Sequence, residues 1–256
     1  MKRKEISVIM PVYNYAYFLD RAFFSVYVQK IDCNIHFIAC DDCSTDQSLA
    51  ILHRLKNFEN ENFKISIFSN KENKGFIETV IFLLKNCSTS YVAYIDPDDY
   101  WIDPYKLKKQ FDFLENNPDF SLVSTGYLIS EGRKLVPSAD GSFWIAAMTE
   151  YNSVLHPISD GEIDKKLLHH SNLCYSSSRF FRNFTDIDLS YVKNKHFIDW
   201  ATNFELSLRG RIGYLDYPSF VYEKKEDSMS SKAQTEITEK DLDEIKSIFN
   251  QKFHNF

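Results

Sequence analysis

The chain has 256 residues, 44% hydrophobic and 16% aromatic, which is enough apolar side chain for a folded core and too much for a disordered segment. Its 30 Lys and Arg against 36 Asp and Glu leave a net charge of -6, and the basic residues are scattered, which argues against a nucleic-acid partner. No stretch is long and apolar enough to span a bilayer.

The chain begins basic and then turns apolar, "MKRKEISVIMPVYN". The apolar run Ile6 to Val12 is short, contains Pro11 and lacks a small-residue cleavage site, so it reads as a first buried strand and not a signal peptide. A cytoplasmic location follows as the expectation. "YFLDRAFFSVYVQ" carries Leu19, Ala22, Phe23 and Val26 at helical spacing. "IHFIAC" is a strand, and "STDQSLAILHRLKNF" a helix opened by Ser44 or Thr45 as cap. Then come "FKISIF" as strand, "GFIETVIFLLKNC" as helix and "YVAYI" as strand. Strands alternating with helices imply right-handed crossovers and a mainly parallel sheet, an α/β fold.

After Trp101, "DPYKLKKQFDFLENNPD" reads as a helix with Pro104 in its first turn and Pro118 as its stop. The pattern weakens over residues 120–196, where "FSLVSTGYLIS" looks extended and "GEIDKKLLHH" helical. "FIDWATNFELSLRG" is a helix capped by Gly210, followed by "RIGYLDYPSFVYEKK" as strand, turn and strand. In the last helix, Thr238 and Asp241 have capping-box spacing, and Leu242, Ile245, Phe249 and Phe253 form one stripe. Packing on its own domain is the expected use of that stripe. A dimer contact and a membrane surface are the alternatives, the latter disfavoured by a polar face of mixed charge.

Cys33, His36, Cys40 and Cys43 have spacings that invite a zinc reading. The segment between them reads as a strand, whose residues alternate between faces, so buried thiols are the better reading.

In a parallel sheet, ligands bind beyond the carboxyl ends of the strands. Those ends here carry Pro11, Tyr13 and Asn14, then Asp41 and Asp42, then Asn70, Asn73 and Gly75, then "YIDPDDYW" with Asp96, Asp98 and Asp99. Carboxylates crowded at a strand end repel one another unless a cation sits among them. Oxygen ligands suit Mn2+ or Mg2+, which also hold phosphate oxygens. The chain has neither a G-x-x-x-x-G-K-[ST] loop nor G-x-G-x-x-G after the first strand, so a metal in the Asp96–Asp99 cluster would take the place of a glycine-rich phosphate cradle. Asp42 can accept from a base N–H, and Tyr13 can stack on the base. The plainer alternative for each acid is a helix N-terminus or cap.

These motifs resemble family 2 glycosyltransferases, which have the GT-A fold. "ISVIMPVYN" looks like that family's first strand, "ACDDCSTDQS" its D-D-x-S-T-D turn, "NKGF" its N-x-G element and "YVAYIDPDDYW" its D-x-D motif. "FIDWATNFELSLRGRIGYLDYPSFVYEKKEDSMS" resembles the segment that usually reads E-D-W, L-x-x-x-G, Y-R-x-H and S-x-S. The resemblance implies a Rossmann-like, mostly parallel central sheet flanked by helices, with a variable acceptor-binding C-terminal half. It divides the chain into a catalytic unit over 1–224, with a nucleotide-binding half 1–118 and an acceptor-binding half 119–224, and a charged segment with an amphipathic helix over 225–256. It places Pro11, Tyr13, Asp42 and Gly75 at the nucleotide sugar, Asp96 at the ribose or metal, Asp98 as main metal ligand with Asp99 in support, and Asp199 as general base.

Two departures stand out. Ile198 occupies the usual Glu position, which predicts more apolar surroundings and a raised pKa for Asp199. Lys225 replaces the histidine of Y-R-x-H, and predicts a direct contact with the diphosphate. The absence of Q-x-x-R-W implies transfer of one sugar. The resemblance thus implies inverting transfer of a hexosyl or N-acetylhexosaminyl group, from a UDP-sugar first among donors, to a hydroxyl of a glycan or lipid-linked acceptor in bacterial surface polysaccharide synthesis. It leaves oligomerisation and peripheral association with the inner membrane face open. A non-catalytic nucleotide-sugar-binding module and a sugar nucleotidyltransferase are the competing readings.

Overall fold

A computed structural model describes residues 3–131, 134–137, 161–164, 172, 174–223 and 236–254. Its first strands are β1 (Glu5–Val12), β2 (Asn34–Asp41), β3 (Phe63–Ser69) and β4 (Tyr91–Tyr94), all parallel in the order β3-β2-β1-β4. β1 and β2 are buried along nearly their whole length, as strands covered on both faces by helices must be. β1 has β2 on one side and β4 on the other, so the strand order reverses between β1 and β4. That reversal opens a crevice at their carboxyl ends.

The helices follow the apolar periodicity. α1 (Leu19–Tyr27) buries Leu19, Ala22, Phe23 and Val26, the four residues expected from spacing. α2 begins later than expected, at Ser48, and runs to Leu55. Ser44 and Thr45 do not cap it, because they bind the neighbouring loop: the Asn14 N–H donates to Ser44 Oγ at 2.9 Å, and the Thr45 N–H to Asn14 Oδ1 at 2.7 Å. α3 (Phe76–Lys85) follows Gly75, whose φ of +90° favours glycine. α4 spans Lys106–Asn116.

The second half extends the same sheet. β5 (Tyr100–Trp101) follows the acidic turn directly, and β6 spans Phe120–Glu131 with β7 (Lys134–Pro137) antiparallel to it. Gly161–Ile163 forms β8, paired antiparallel with β10 (Arg211–Glu223). The helix expected over "GEIDKKLLHH" therefore does not form at Gly161–Ile163, and residues 165–170 lie outside the described residues. Three residues are too few to show periodicity, and only the distant partner strand defines them. β9 (Phe180–Arg182) joins β4 to β6, and β10 runs parallel to β6. The expected strand, turn and strand over 211–223 is one strand, irregular around Pro218, where the missing N–H breaks the ladder.

α5 (Ile198–Arg209) ends at Gly210, whose backbone is extended, with φ 176°. A left-handed cap is thus not what needs glycine there. A Cβ at this position would lie 2.9 Å from both Asp119 O and Ser121 N. Gly210→Ala is expected to cost about 1–3 kcal/mol, read as a lower urea midpoint with unchanged slope. α6 (Glu239–His254) opens with the expected capping box: Thr238 N–H donates to Asp241 Oδ2 at 2.9 Å, and Asp241 N–H to Thr238 Oγ1 at 3.2 Å. Its stripe packs on α5, with Phe249 stacked on Phe204 at 4.0 Å and Lys252 Nζ 2.8 Å from buried Glu205. Among the described residues, no helix is long and apolar enough to cross a membrane.

Candidate active site

A cavity of about 550 Å³ opens at the carboxyl ends of β1, β2 and β4. Its lining brings together Pro11, Tyr13, Asp42, Gly75, Asp96, Asp98 and Asp199 from 188 positions of sequence. Lys225 lies outside the described residues.

Asp42 is built into the wall. Its Oδ1 accepts from Asn70 Nδ2 at 2.7 Å and from Lys74 N–H at 2.9 Å, and its Oδ2 from Gly75 N–H at 2.8 Å. An ionised carboxylate has about four acceptor positions, so one is left to face the cavity. Asp42 thereby holds the loop that carries Asn73 and Gly75 against the cavity. Tyr13 stands at the rim, 44% exposed. Tyr15, absent from the expected set, also lines the cavity, and burial followed by the Asp98, Asp96 and Asp99 charges pushes its hydroxyl pKa well up.

The acidic turn is pinned from both sides. Arg21 Nη2 donates to the Asp98 carbonyl at 2.8 Å and lies 3.0 Å from Glu223 Oε2, while its guanidinium stacks over Tyr100 at 4.2 Å. The three acids separate by role. Asp99 is buried, accepting from Ser177 Oγ at 2.5 Å and from Glu223 N–H at 3.3 Å. Each of its oxygens takes one bond from the scaffold, so it ties the turn to β10 at the edge of the same cavity. Trp101 is likewise core: its Nε1–H donates to Ser177 O at 3.0 Å. Asp96 is partly open to the cavity, and burial, then the Asp199 and Asp98 charges, push its pKa up to about 8.

That shift has a direct consequence. Folded Asp96 keeps its proton up to about pH 8, whereas the unfolded chain releases it near 3.9. Between those values the folded state binds more protons, so stability falls as pH rises through the window and levels off above it. Asp96→Asn is expected to make the fall of Tm from pH 5 to pH 8 in EDTA shallower, and to raise Tm at pH 8 by about 2–8 °C. An unchanged pH profile contradicts this assignment.

Asp199 begins the first turn of α5 and faces the same cavity. Its Oδ1 accepts from Arg179 Nη2 at 2.7 Å and its Oδ2 from Ser176 Oγ at 2.6 Å. Arg179 is 1% exposed, and its other nitrogen reaches the Asp199 carbonyl and Asn203 Oδ1, each at 3.3 Å. The apolar surroundings expected from Ile198 are not found. Ile198 turns into the core, while the carboxylate meets Arg179 and Ser176. Neither residue was legible in "YSSSRFF", because a short 3₁₀ turn at Ser176–Ser178 leaves no periodic mark.

Residues 7–184 match the model of glycosyl transferase family 2, well over half of the chain. The chain belongs to this family. EpsE of Bacillus subtilis (strain 168) is 29% identical over 237 residues, 90% of this chain and 76% of EpsE. The UDP-Glc:alpha-D-GlcNAc-diphosphoundecaprenol beta-1,3-glucosyltransferase WfgD of Escherichia coli is 29% identical over 150 residues, 59% of this chain and 54% of WfgD. The crystal structure of S. aureus TarS 1-349 in complex with UDP-GlcNAc superposes with a TM-score of 0.70 at 20% identity, covering 97% of this chain and 65% of that one. The chain thus spans about half of WfgD and somewhat under two thirds of the TarS fragment. The glycosyltransferase shares the GT-A fold with TarS: a mostly parallel, curled sheet flanked by helices.

A divalent cation fits the transferase's donor set in a limited way. Among the described residues, no three His, Cys, Asp or Glu side chains group as a metal-ligand set. Asp98 and Asp96 both line the cavity, and their mutual repulsion helps raise the Asp96 pKa, which a cation relieves. Mg2+ and similar ions use one or two carboxylates and complete their shell with water and substrate phosphates. Two carboxylates are therefore sufficient where a diphosphate is also bound.

Proposed function

We propose that this glycosyltransferase moves one sugar, with inversion, from a nucleotide diphosphate sugar to a hydroxyl of a glycan or lipid-linked acceptor in surface polysaccharide synthesis. The observation that carries the reading is one cavity with the Asp96–Asp98 pair and Asp199 both facing into it, at the point where the strand order reverses. WfgD, a UDP-Glc glucosyltransferase, and TarS, crystallised with UDP-GlcNAc, support UDP as the nucleotide.

In this reading Pro11, Tyr13 and the loop held by Asp42 and Gly75 receive the nucleotide. Asp98 and Asp96 would hold Mn2+ or Mg2+, which neutralises charge on the diphosphate. Lys225, outside the described residues, is assigned to the diphosphate by the resemblance alone. Asp199 takes the proton of the acceptor hydroxyl as that oxygen bonds to the anomeric carbon, and the bond from that carbon to the diphosphate oxygen breaks on the opposite face. Arg179 and Ser176 fix the carboxylate, leaving the second lone pair of each oxygen for the incoming O–H. The cavity supplies the in-line arrangement.

The test is transfer from UDP-glucose, UDP-GlcNAc, GDP-mannose and dTDP-glucose, each with Mn2+, to a short alkyl diphosphate bearing GlcNAc. The anomeric proton of the product is read by NMR. A β-linked product from an α-linked donor supports the reading, and an α-linked product rejects inversion.

A further inference from the structure

Lys195 and His196 belong to none of the motifs above, yet both line the cavity, one turn before Asp199. Their nitrogens converge on a single oxygen. Lys195 Nζ lies 3.1 Å and His196 Nε2 2.9 Å from Glu236 Oε2. A carboxylate only accepts, so His196 carries its proton on Nε2. The imidazole is 4% exposed, and its backbone N–H is fixed by Asn194 Oδ1 at 3.1 Å. The carboxylate that meets these two donors comes from 40 residues downstream, and the next residue, Ile237, also lines the cavity.

The Lys195–Glu236 pair contributes little to the fold. Lys195 and Glu236 are 46% and 41% exposed, and ion pairs so open to water add little to stability. Two donors aimed at one anionic oxygen is an arrangement that also suits a phosphate. We propose that Lys195 and His196 form an anion subsite for a phosphate group of a substrate, and that Glu236 fills it in the free protein and is displaced on binding. The subsite rests on the transfer reading, since its ligand is a substrate of that reaction. A phosphate arrives from the nucleotide diphosphate or from a phosphorylated acceptor. The place of the pair beside Asp199, and not on the acidic turn, favours the acceptor.

The test compares the wild-type chain with Glu236→Gln, Lys195→Met and the double variant, all side chains at open positions. Calorimetry in EDTA gives Kd for inorganic pyrophosphate, UDP, a short alkyl diphosphate bearing GlcNAc, and the matching alkyl GlcNAc without phosphate. For the phosphate-bearing ligand that uses the subsite, Glu236→Gln is expected to tighten binding about 3–10-fold and Lys195→Met to weaken it about tenfold. The gain from Glu236→Gln should vanish in the double variant, and the uncharged alkyl GlcNAc should not respond. A response of the alkyl diphosphate assigns the subsite to the acceptor, and a response of UDP assigns it to the donor. Unchanged affinities for all three phosphate-bearing ligands overturn the subsite. If wild-type protein still binds UDP in that case, the transfer reading survives. If wild-type protein binds no nucleotide even with Mn2+, the underlying reading itself is at fault.

Discussion

Asp199→Asn is expected to slow sugar transfer by about 10²–10⁴-fold while leaving nucleotide affinity within about twofold of wild type, because a general base contributes on that scale to rate and little to donor binding. Asn preserves the shape of the side chain and one acceptor oxygen for Arg179 Nη2 or Ser176 Oγ. What it cannot do is take a proton from the acceptor. The substitution leaves the α5 turn in place, since Asp199 makes its bonds to residues on the β9 side and buried Ile198 anchors the helix start. Single-turnover rates and nucleotide Kd, measured on the same preparation, separate the possibilities. A wild-type rate removes Asp199 from the chemistry. A lost affinity moves it to donor binding.

The second large effect belongs to Asp98. Asp98→Ala is expected to weaken Mn2+-dependent nucleotide binding by about 100-fold or more, since even residues behind a ligand shell cost 10–100-fold when removed. Asp99→Asn, one position on, is expected to act differently. Asp99 holds Ser177 and the Glu223 N–H and is buried, so its replacement lowers Tm with a smaller change in metal-dependent affinity. Paired titrations of Mn2+ and UDP into the two variants read this contrast. Equal losses of affinity would mean that the two adjacent acids share one role.

The division between Asp98 and Asp99 also marks where the sequence stops being informative. β1 to β4 and the helices between them were legible because each apolar run has one period and a local stop signal. The convergence of Asp42, Asp96 and Asp98 followed from parallel strands sharing one carboxyl edge. The role of each acid did not follow. Asp99 meets the Glu223 N–H across 124 residues, and Asp42 clamps a loop 28 to 33 residues away, neither of which leaves any mark in local pattern. Arg179 was missed for the same reason. Its partner Asp199 is 20 residues on, and a fully buried arginine is rare enough that composition argues against it. Where the helix expected over "GEIDKKLLHH" can be compared, at Gly161–Ile163, β8 stands instead, because those residues are set by their pairing with β10.

The transfer mechanism requires a nucleotide to bind in the cavity between β1 and β4. The measurement is the thermal shift of the full chain with UDP, GDP and dTDP, each with Mn2+ and each with EDTA. A rise in Tm with one nucleotide, larger with Mn2+ and lost in Asp98→Ala, is expected. No rise with any nucleotide in either condition contradicts that mechanism.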